Sequence, residues 1–400
     1  MKKKTQRTGR YRLYPNKKQE RILLDHCKAS LLVQNKCIEL AKADQKLDVK
    51  PDFTKYQRNF KLWRGDGIGF EDERYFDENG ENWAVDLLRK TQARALYYVP
   101  RRIKANFFTK GGGSRLGFRR LKDASSFQTD QMKLVVNEDN PKKSHLELSN
   151  PQEKGMLIKI KLHHLYEDRI LKSLVITHQA SQWHACMIFE GDTVPDPQPI
   201  NKNSCTVGLD CGVKDHLIDN LNNTHNIELD RKLEARIQRV QQKLSRCKRG
   251  SNNRKKIKER LGKLKAKQAR KNNYQRHHIT KSLVENNDGI AIEDFKSKQI
   301  VTKLSSDRSK LKKQRSSTNK KLLLGAPHEI INQLAYKCED KGKIFKKIPA
   351  RNTTCTCSEC GHIQEGLSLS DREWDCGGCS HHHFRDQNAA QNIRKAAFGD

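Results

Sequence analysis

The chain is short of acidic residues: its 400 residues include 47 Asp and Glu against 80 Lys and Arg, a formal charge of +33. Such an excess along a folded chain is typical of a protein whose partner is a polyanion, although a solubility charge or an anionic membrane surface would also fit it. Long apolar runs are missing as well, since none approaches the roughly 18 residues of a membrane span, and no apolar leader segment follows the basic start. We therefore expect no membrane partner and no export.

Cysteine is scarce outside one segment. Seven of the twelve cysteines are isolated, which fits a reducing compartment, and the other five lie between Cys355 and Cys379. Two Cys-x-x-Cys knuckles in that segment are separated by fifteen residues, the interval at which two short hairpins can close four thiolates around one zinc ion. Core cysteines or a redox pair are the alternatives, but Gly361 and the pair Gly377-Gly378 supply the tight turns that zinc knuckles need. The predicted zinc ligands are Cys357, Cys360, Cys376 and Cys379.

Three acidic residues stand where the sequence pattern changes. Asp210 and Glu293 each end a short apolar strand, and Asp386 opens a predicted helix directly after the knuckles. Carboxylates brought within a few ångströms repel each other, and divalent ions between them make the arrangement tolerable. Two such ions about 4 Å apart can activate a water and stabilise the leaving oxygen of a phosphodiester. Any one of these acids alone would carry little weight, whereas the three together predict a two-metal site.

The N-terminal half alternates between strand and helix patterns. Residues 8–14 are predicted to form a strand, and helical spacing over 17–43 predicts two helices or one bent helix. A second helical segment covers 83–108, although a plain helical bundle would show the same pattern. Four further strands within 127–190 predict a small antiparallel barrel that the first strand joins, with the helices as an insertion.

Basic residues dominate the C-terminal half. Strands are predicted over 213–219 and 225–229, and the segment 231–287 then holds twenty Lys or Arg against three Glu. Its apolar residues keep helical spacing, so we predict a helical hairpin with a basic exterior, with a lone solvated helix as the alternative. A basic loop over 296–321 and a basic aromatic stretch after the glycine-rich break at 111–117 also suit contacts to phosphates and bases. The predicted nucleic-acid contacts are Arg119, Arg120, Lys122, Arg246, Lys248, Arg249 and Arg254.

Several of these segments resemble a known family. GLDCGVKD around Asp210, AIEDFKSK around Glu293 and RDQNAAQNI around Asp386 are similar to the three RuvC motifs of the TnpB family, the transposon-encoded relatives of type V CRISPR effector nucleases. CSECGH and CGGC, which lie between the last two motifs, resemble that family's inserted zinc ribbon, and YRLYPNKKQE and GFRRLK resemble its opening strand and inter-domain motif. The resemblance covers most of the chain, is specific from 205 to 395 and is weak from 45 to 110.

The resemblance implies a multidomain α+β fold. Its parts would be a wedge-like β-barrel at 1–14 and 111–190, a helical recognition lobe inserted at 15–110, a linker at 191–203, a RuvC-like, ribonuclease-H-like α/β nuclease domain at 204–350 and 384–400, and a zinc ribbon at 351–383.

The function implied by the resemblance is that of an RNA-guided DNA endonuclease. It would carry a guide RNA transcribed from the transposon end and hydrolyse phosphodiester bonds of double-stranded DNA beside a short target-adjacent motif, in the cytoplasm and on the nucleoid of a prokaryotic cell. Asp210, Glu293 and Asp386 would hold two catalytic Mg²⁺ ions, and the four cysteines one structural Zn²⁺. The alternatives are a guide-directed DNA binder that does not cut, whose mark would be the loss of an acid, and a transposase or resolvase with a ribonuclease-H-like core.

The sequence departs from the family pattern around the knuckles. Cys355 adds a fifth cysteine, Ser380 follows the last knuckle where glycine is common, and His381–His383 offer competing ligands. Because the two-knuckle spacing is complete without them, we keep the four-cysteine assignment. The acid-rich stretch at 71–86 and the triple glycine have no counterpart that we can place.

Overall fold

A computed structural model describes residues 5–47, 49, 52, 56, 118–149, 155–164, 166, 168–191, 194–212, 215–295, 319, 321–368 and 371–399. The predicted helix at 83–108, the glycine-rich break and all but two residues of the basic loop at 296–321 lie outside these residues. The chain divides into two compact units, which we call the N-terminal unit (1–193) and the C-terminal unit (194–400). None of the described helices is long and apolar enough to cross a membrane.

The N-terminal unit holds one helix and seven strands among its described residues. They are β1 (Thr5–Tyr14), α1 (Lys17–Lys46), β2 (Ser126–Thr129), β3 (Met132–Val135), β4 (His145–Leu148), β5 (Met156–Lys161), β6 (Ile170–Gln179) and β7 (Gln182–Gly191). α1 is a single helix, which settles the choice between two helices and one. The five strands predicted for this unit are confirmed as β1, β3, β5, β6 and β7, whereas the short strands β2 and β4 were not predicted.

The seven strands form one antiparallel sheet in the order β2-β6-β7-β1-β5-β4-β3. β2 and β3 lie at opposite ends of this order, yet only Asp130 and Gln131 separate them in the chain. The sheet must therefore curl until its two edge strands lie close together. Alternate residues of the strands face inward and, with Leu23 and Cys27 of α1, build one apolar core.

The C-terminal unit contains a four-stranded sheet, a two-stranded ribbon and four α-helices with defined bounds, and residues 319 and 321–325 are helical as well. The strands and the bounded helices are β8 (Thr206–Asp210), β9 (Ile218–Asp219), α2 (Arg231–Arg246), α3 (Asn252–Asn286), β10 (Gly289–Glu293), α4 (Pro327–Asp340), β11 (Ile344–Ile348), β12 (Glu373–Asp375), β13 (His382–Phe384) and α5 (Arg385–Phe398). The sheet has the order β11-β10-β8-β9, in which only β9 is antiparallel to its neighbour. The helical hairpin predicted over 231–287 is confirmed.

The region after β8 differs from prediction. Of the strand predicted over 213–219, only Ile218–Asp219 is a strand among the described residues, and the strand predicted over 225–229 is wrong. The ladder ends where the His225 amide donates to the Leu217 carbonyl at 2.8 Å. Three residues further on, the Glu228 amide donates to the side chain of Gln275 on α3 at 2.7 Å, so the backbone leaves the sheet edge for the helix.

Candidate metal centre and zinc ribbon

Two of the predicted acids lie side by side at the edge of the parallel sheet. Leu209 pairs with Ile292 in the register of β8 and β10, so the next residues, Asp210 and Glu293, occupy the same level of neighbouring strands. Side chains at one level of a parallel pair point to the same face, and the strands are about 4.8 Å apart. The two carboxyl groups accordingly share a hydrogen bond.

The third acid comes from α5, which packs across the sheet. Gly208 on β8 allows the helix to approach, because a Cβ at this position would collide with the carbonyl oxygen of Ala390. Ala389, Ala390 and Ile393 of α5 are fully buried. This close packing sets the first turn of the helix, and with it Asp386, near the other two acids; the electrostatic influence of Asp386 reaches Asp210.

The environment of these acids favours a proton or a cation. Burial, and then the neighbouring Glu293 and Asp386 carboxylates, raise the pKa of Asp210 well above its ordinary value. Burial also raises the pKa of Glu293. Since Asp210 is buried and Glu293 is half-buried beside it, two negative charges on the pair are unfavourable, and a shared proton or a cation is favoured. An oxygen-lined, negatively charged pair of this kind fits a hard divalent ion such as Mg²⁺.

Asp386 has another partner. Arg372, directly before β12, places Nη1 at 3.3 Å from one carboxylate oxygen of Asp386 and 3.0 Å from the other. Among the described residues, the four cysteines are the only set of three or more ligand side chains whose atoms all lie within 4.8 Å of one another. Asp386 therefore faces Arg372 and does not close a three-carboxylate cluster with Asp210 and Glu293.

The four predicted zinc ligands lie together. Their Sγ atoms are all within 4.8 Å of one another, with Cys357 and Cys379 at 3.7 Å and Cys360 and Cys376 at 3.5 Å. A tetrahedron with Zn–S bonds of about 2.3 Å has edges of about 3.8 Å, so the set fits zinc. The same cluster contains neither Cys355 nor a histidine.

His383 lies just outside the ligand set. Its Nε2 is 3.0 Å from the sulfur of Cys357, the relation of a hydrogen-bond partner to a ligand. The ring is buried, and its centroid lies 4.6 Å from that of Trp374 on the opposite strand, with the two ring planes tilted by 35°. His382 contacts Asp375 on the surface. None of the three histidines belongs to the cluster of four sulfurs, so the four cysteines stay the predicted ligands.

The ribbon is attached to α5 by side chains that the sequence analysis did not identify. Asn388 accepts from the Ser358 amide at 2.9 Å and donates to the Thr356 carbonyl at 2.8 Å. Asn392, one turn along α5, donates to the Thr356 carbonyl at 2.6 Å. Asparagine is a poor helix former, so two asparagines four residues apart in a predicted helix indicate that their side chains bind a neighbouring segment. These bonds fix the first knuckle to the helix that carries Asp386.

The predicted nucleic-acid contacts differ in their surroundings. Arg246, Lys248 and Arg249 lie exposed at the tip of the α2–α3 hairpin. Arg254 instead donates to the Leu244 and Cys247 carbonyls at 2.5 and 3.2 Å and so closes the end of α2. Arg119, Arg120 and Lys122 are exposed on the N-terminal unit, where Asn35 of α1 holds the backbone of Arg119 through two hydrogen bonds.

With this geometry in place, the chain can be compared with known proteins. Residues 192–304 match the family described as "Probable transposase" (OrfB_IS605), and residues 328–393 match the "Cas12f1-like, TNB domain" family. These two ranges hold Asp210, Glu293, Asp386 and all four cysteines. The resemblance to the TnpB family is confirmed.

Curated relatives named as RNA-guided DNA endonucleases align with part of the chain. A protein of Streptomyces pristinaespiralis named "Putative RNA-guided DNA endonuclease" is 27% identical over 225 residues, which are 55% of this chain and 51% of the relative. "Putative RNA-guided DNA endonuclease InsQ" of Escherichia coli K12 is 26% identical over 232 residues, 57% of each chain. The chain thus spans about half the length of the curated relatives that it matches.

A shorter match and a solved structure complete the comparison. The CRISPR-associated DNA-binding protein Cas12m of Thermanaerosceptrum fracticalcis is 33% identical over 75 residues, 19% of this chain and 13% of the relative. A Cas12f1–sgRNA–target DNA complex overlaps 98% of both chains at 13% identity, with a TM-score of 0.46.

Proposed function

We propose that this protein is an RNA-guided, magnesium-dependent DNA endonuclease encoded by a transposon. The observation that carries the proposal is the hydrogen-bonded pair of the buried Asp210 and the half-buried Glu293, with Asp386 near it on α5. The charge of +33 supports nucleic-acid partners, and the names of the relatives support a guide RNA and double-stranded DNA in particular. We further assign the curled sheet as the wedge, the helical insertion as the recognition lobe and the C-terminal unit as the RuvC-like nuclease with its ribbon.

The residues of the chain would have the following roles. Asp210, Glu293 and Asp386 hold two Mg²⁺ ions, and four thiolates hold one structural Zn²⁺. Bound at the acids, magnesium supplies an activated water and stabilises the leaving oxygen of a phosphodiester. To bind it, the Asp210–Glu293 pair must release its shared proton, so occupancy rises with pH. Guide pairing selects the target, while Lys and Arg side chains hold phosphates.

A paired cleavage and binding assay tests the proposal. Asp210→Ala, Glu293→Ala and Asp386→Ala are each expected to abolish cutting of a guide-matched duplex while leaving its gel-shift intact. The matched control is Asp294→Ala, because Asp294 follows Glu293 but is exposed. Both assays use the same preparations, the purified guide RNA, and either magnesium or a chelator.

Each contrary result has a distinct meaning. Cutting by Glu293→Ala would overturn the assignment of the acids. A wild-type protein that binds the matched target in magnesium but leaves it whole would be a guide-directed binder. Absence of copurifying RNA would favour a transposase or resolvase.

The hairpin tip provides a second measurement. If Arg246, Lys248 and Arg249 bind phosphates, replacing all three with Gln should make the plot of log affinity against log salt shallower, by about 0.9 for each duplex phosphate that is no longer neutralised. Arg254→Gln is the control, since its guanidinium is bound to α2 carbonyls. An unchanged slope in the triple variant would mean that the tip is only a solvated surface.

A further inference from the structure

Arg372 binds the carboxylate through which Asp386 would hold a metal ion. Its Nη1 donates to both carboxylate oxygens of Asp386, at 3.3 and 3.0 Å. One positively charged group there excludes a second by charge and by volume.

The ion pair also explains why the three acids do not converge. Asp210 and Glu293 are hydrogen-bonded to each other, whereas Asp386 stays outside any metal-sized cluster of the described residues. The carboxylate of Asp386 is thus paired with a guanidinium and not with the other two acids.

The Arg372–Asp386 ion pair can open without unfolding the ribbon. The backbone of Arg372 is fixed, because its carbonyl accepts from the Arg385 amide at 2.8 Å at the start of α5. Its side chain is 50% exposed, against 24% for Asp386, and can therefore turn into solvent at little packing cost. The asparagine bonds between α5 and the first knuckle would stay in place.

From these observations we propose that Arg372 is a positioning residue that holds the carboxylate of Asp386 and competes with a divalent ion for it. The inference rests on the proposed function in taking Asp386 as a metal ligand. A consequence of the proposed role of Arg372 is that the zinc ribbon sets the affinity of the nuclease site for the divalent ion. Removing the guanidinium should tighten metal binding, in contrast to the loss expected from a residue that supports the metal.

The test is a Mn²⁺ titration of the whole zinc-loaded protein without nucleic acid, with free Mn²⁺ followed by electron paramagnetic resonance. Arg372→Gln is expected to bind Mn²⁺ about two- to fivefold more tightly than wild type, the range of a partly exposed ion pair. In an Asp386→Asn background the same substitution should have no effect. Zinc content measured on each preparation shows that the ribbon is intact.

Arg385→Gln is the matched control. It removes the same charge next to Asp386, but the Arg385 side chain donates to the Ser368 carbonyl at 2.7 Å. A gain in Arg385→Gln equal to that in Arg372→Gln would reduce the effect to general charge and overturn the proposal. Unchanged or weaker binding by Arg372→Gln would overturn it as well.

Failure of the proposed function looks different in this experiment. If the wild-type protein and an Asp210→Asn, Glu293→Gln double variant give the same Mn²⁺ isotherm, no ion binds at the acids and both proposals fall. If the double variant loses binding but Arg372→Gln matches wild type, the nuclease site stands and only the role of Arg372 falls.

Discussion

The two units differ in what they bury. The N-terminal unit encloses an apolar core, and the buried imidazole of His26 is kept neutral. The C-terminal unit contains the carboxyl pair of Asp210 and Glu293 and the cluster of four cysteines, two of which are buried. A neutral imidazole needs no partner beyond its hydrogen bonds, but facing carboxylates and clustered thiolates need cations. Under the proposed function, the second unit therefore depends on bound ions, whereas the described part of the first unit presents no such cluster of ligand side chains. Four measurements would break or sharpen this contrast.

The largest expected effect is the loss of zinc. Cys376→Ser removes a buried ligand and should release the ion, whose binding contributes about 10–16 kcal/mol to zinc knuckles. Hydrogen exchange should then rise in peptides of the ribbon and the first turn of α5, with no change in the seven strands of the N-terminal unit.

Elemental analysis of the same samples gives the metal content. Cys355→Ser is the control, because Cys355 lies outside the ligand cluster. Full zinc occupancy in Cys376→Ser, or no zinc in the intact protein, would contradict the assignment.

Acidification should lower the stability of the N-terminal unit. Burial lowers the pKa of His26 to about 4 from 6.5, although its Nδ1 contact with the Ile22 carbonyl and the nearby Asp25 act in the opposite sense. Below pH 6.5 the unfolded state takes up the proton first, so stability present above that pH is lost as the pH falls towards 4. The loss corresponds to about 3 kcal/mol.

Hydrogen exchange measured between pH 7 and pH 4, and corrected for its intrinsic pH dependence, should show that the N-terminal unit opens more often as the pH falls. His26→Leu should flatten this dependence, since leucine cannot take up a proton. An N-terminal unit equally protected at both pH values would show that His26 titrates normally.

The acid pair is expected to reduce stability when no magnesium is bound. Because the pKa of Asp210 is raised in the folded state, the folded protein holds its proton more firmly, and stability falls as pH rises above the unfolded value of 3.8. Asp210→Asn should therefore stabilise the C-terminal unit at pH 8, because asparagine brings no charge into the buried site and has no proton to lose. Urea unfolding of zinc-loaded, magnesium-free protein measures the gain, with exposed Asp294→Asn as the control.

Some of this arrangement could be predicted from the sequence. An apolar strand that ends in an acid predicts the acid's place, because parallel strands end at one edge of a sheet; Asp210 and Glu293 were found in this way. The zinc ligands followed from their spacing. Arg372 could not be predicted, since its partner lies 14 residues further on and is brought close only by the register of the β12–β13 ribbon. Likewise, a count of basic residues cannot distinguish Arg254, which closes a helix end, from arginines at the exposed tip.

The smallest effect concerns the two knuckles. Each is closed by a bond from the fourth residue after its first cysteine, from Gly361 to Cys357 at 3.0 Å and from Ser380 to Cys376 at 2.8 Å. Gly361 has φ of 76° and Ser380 has φ of 59°, so both adopt the left-handed region, which a residue with a Cβ enters at a cost.

Ser380→Gly should therefore raise the stability of the zinc-loaded ribbon by about 0.5–1 kcal/mol, less the entropy that glycine adds to the unfolded chain. Gly361→Ser is the reciprocal variant and should lower the stability of the ribbon by a similar amount. A Cβ at position 361 would have no atom within 4 Å, so this variant tests only the backbone strain. Competition for zinc against a chelator of known affinity measures both, and equal affinities in the three proteins would mean that the metal, and not the backbone conformation of the turns, sets the stability of the ribbon.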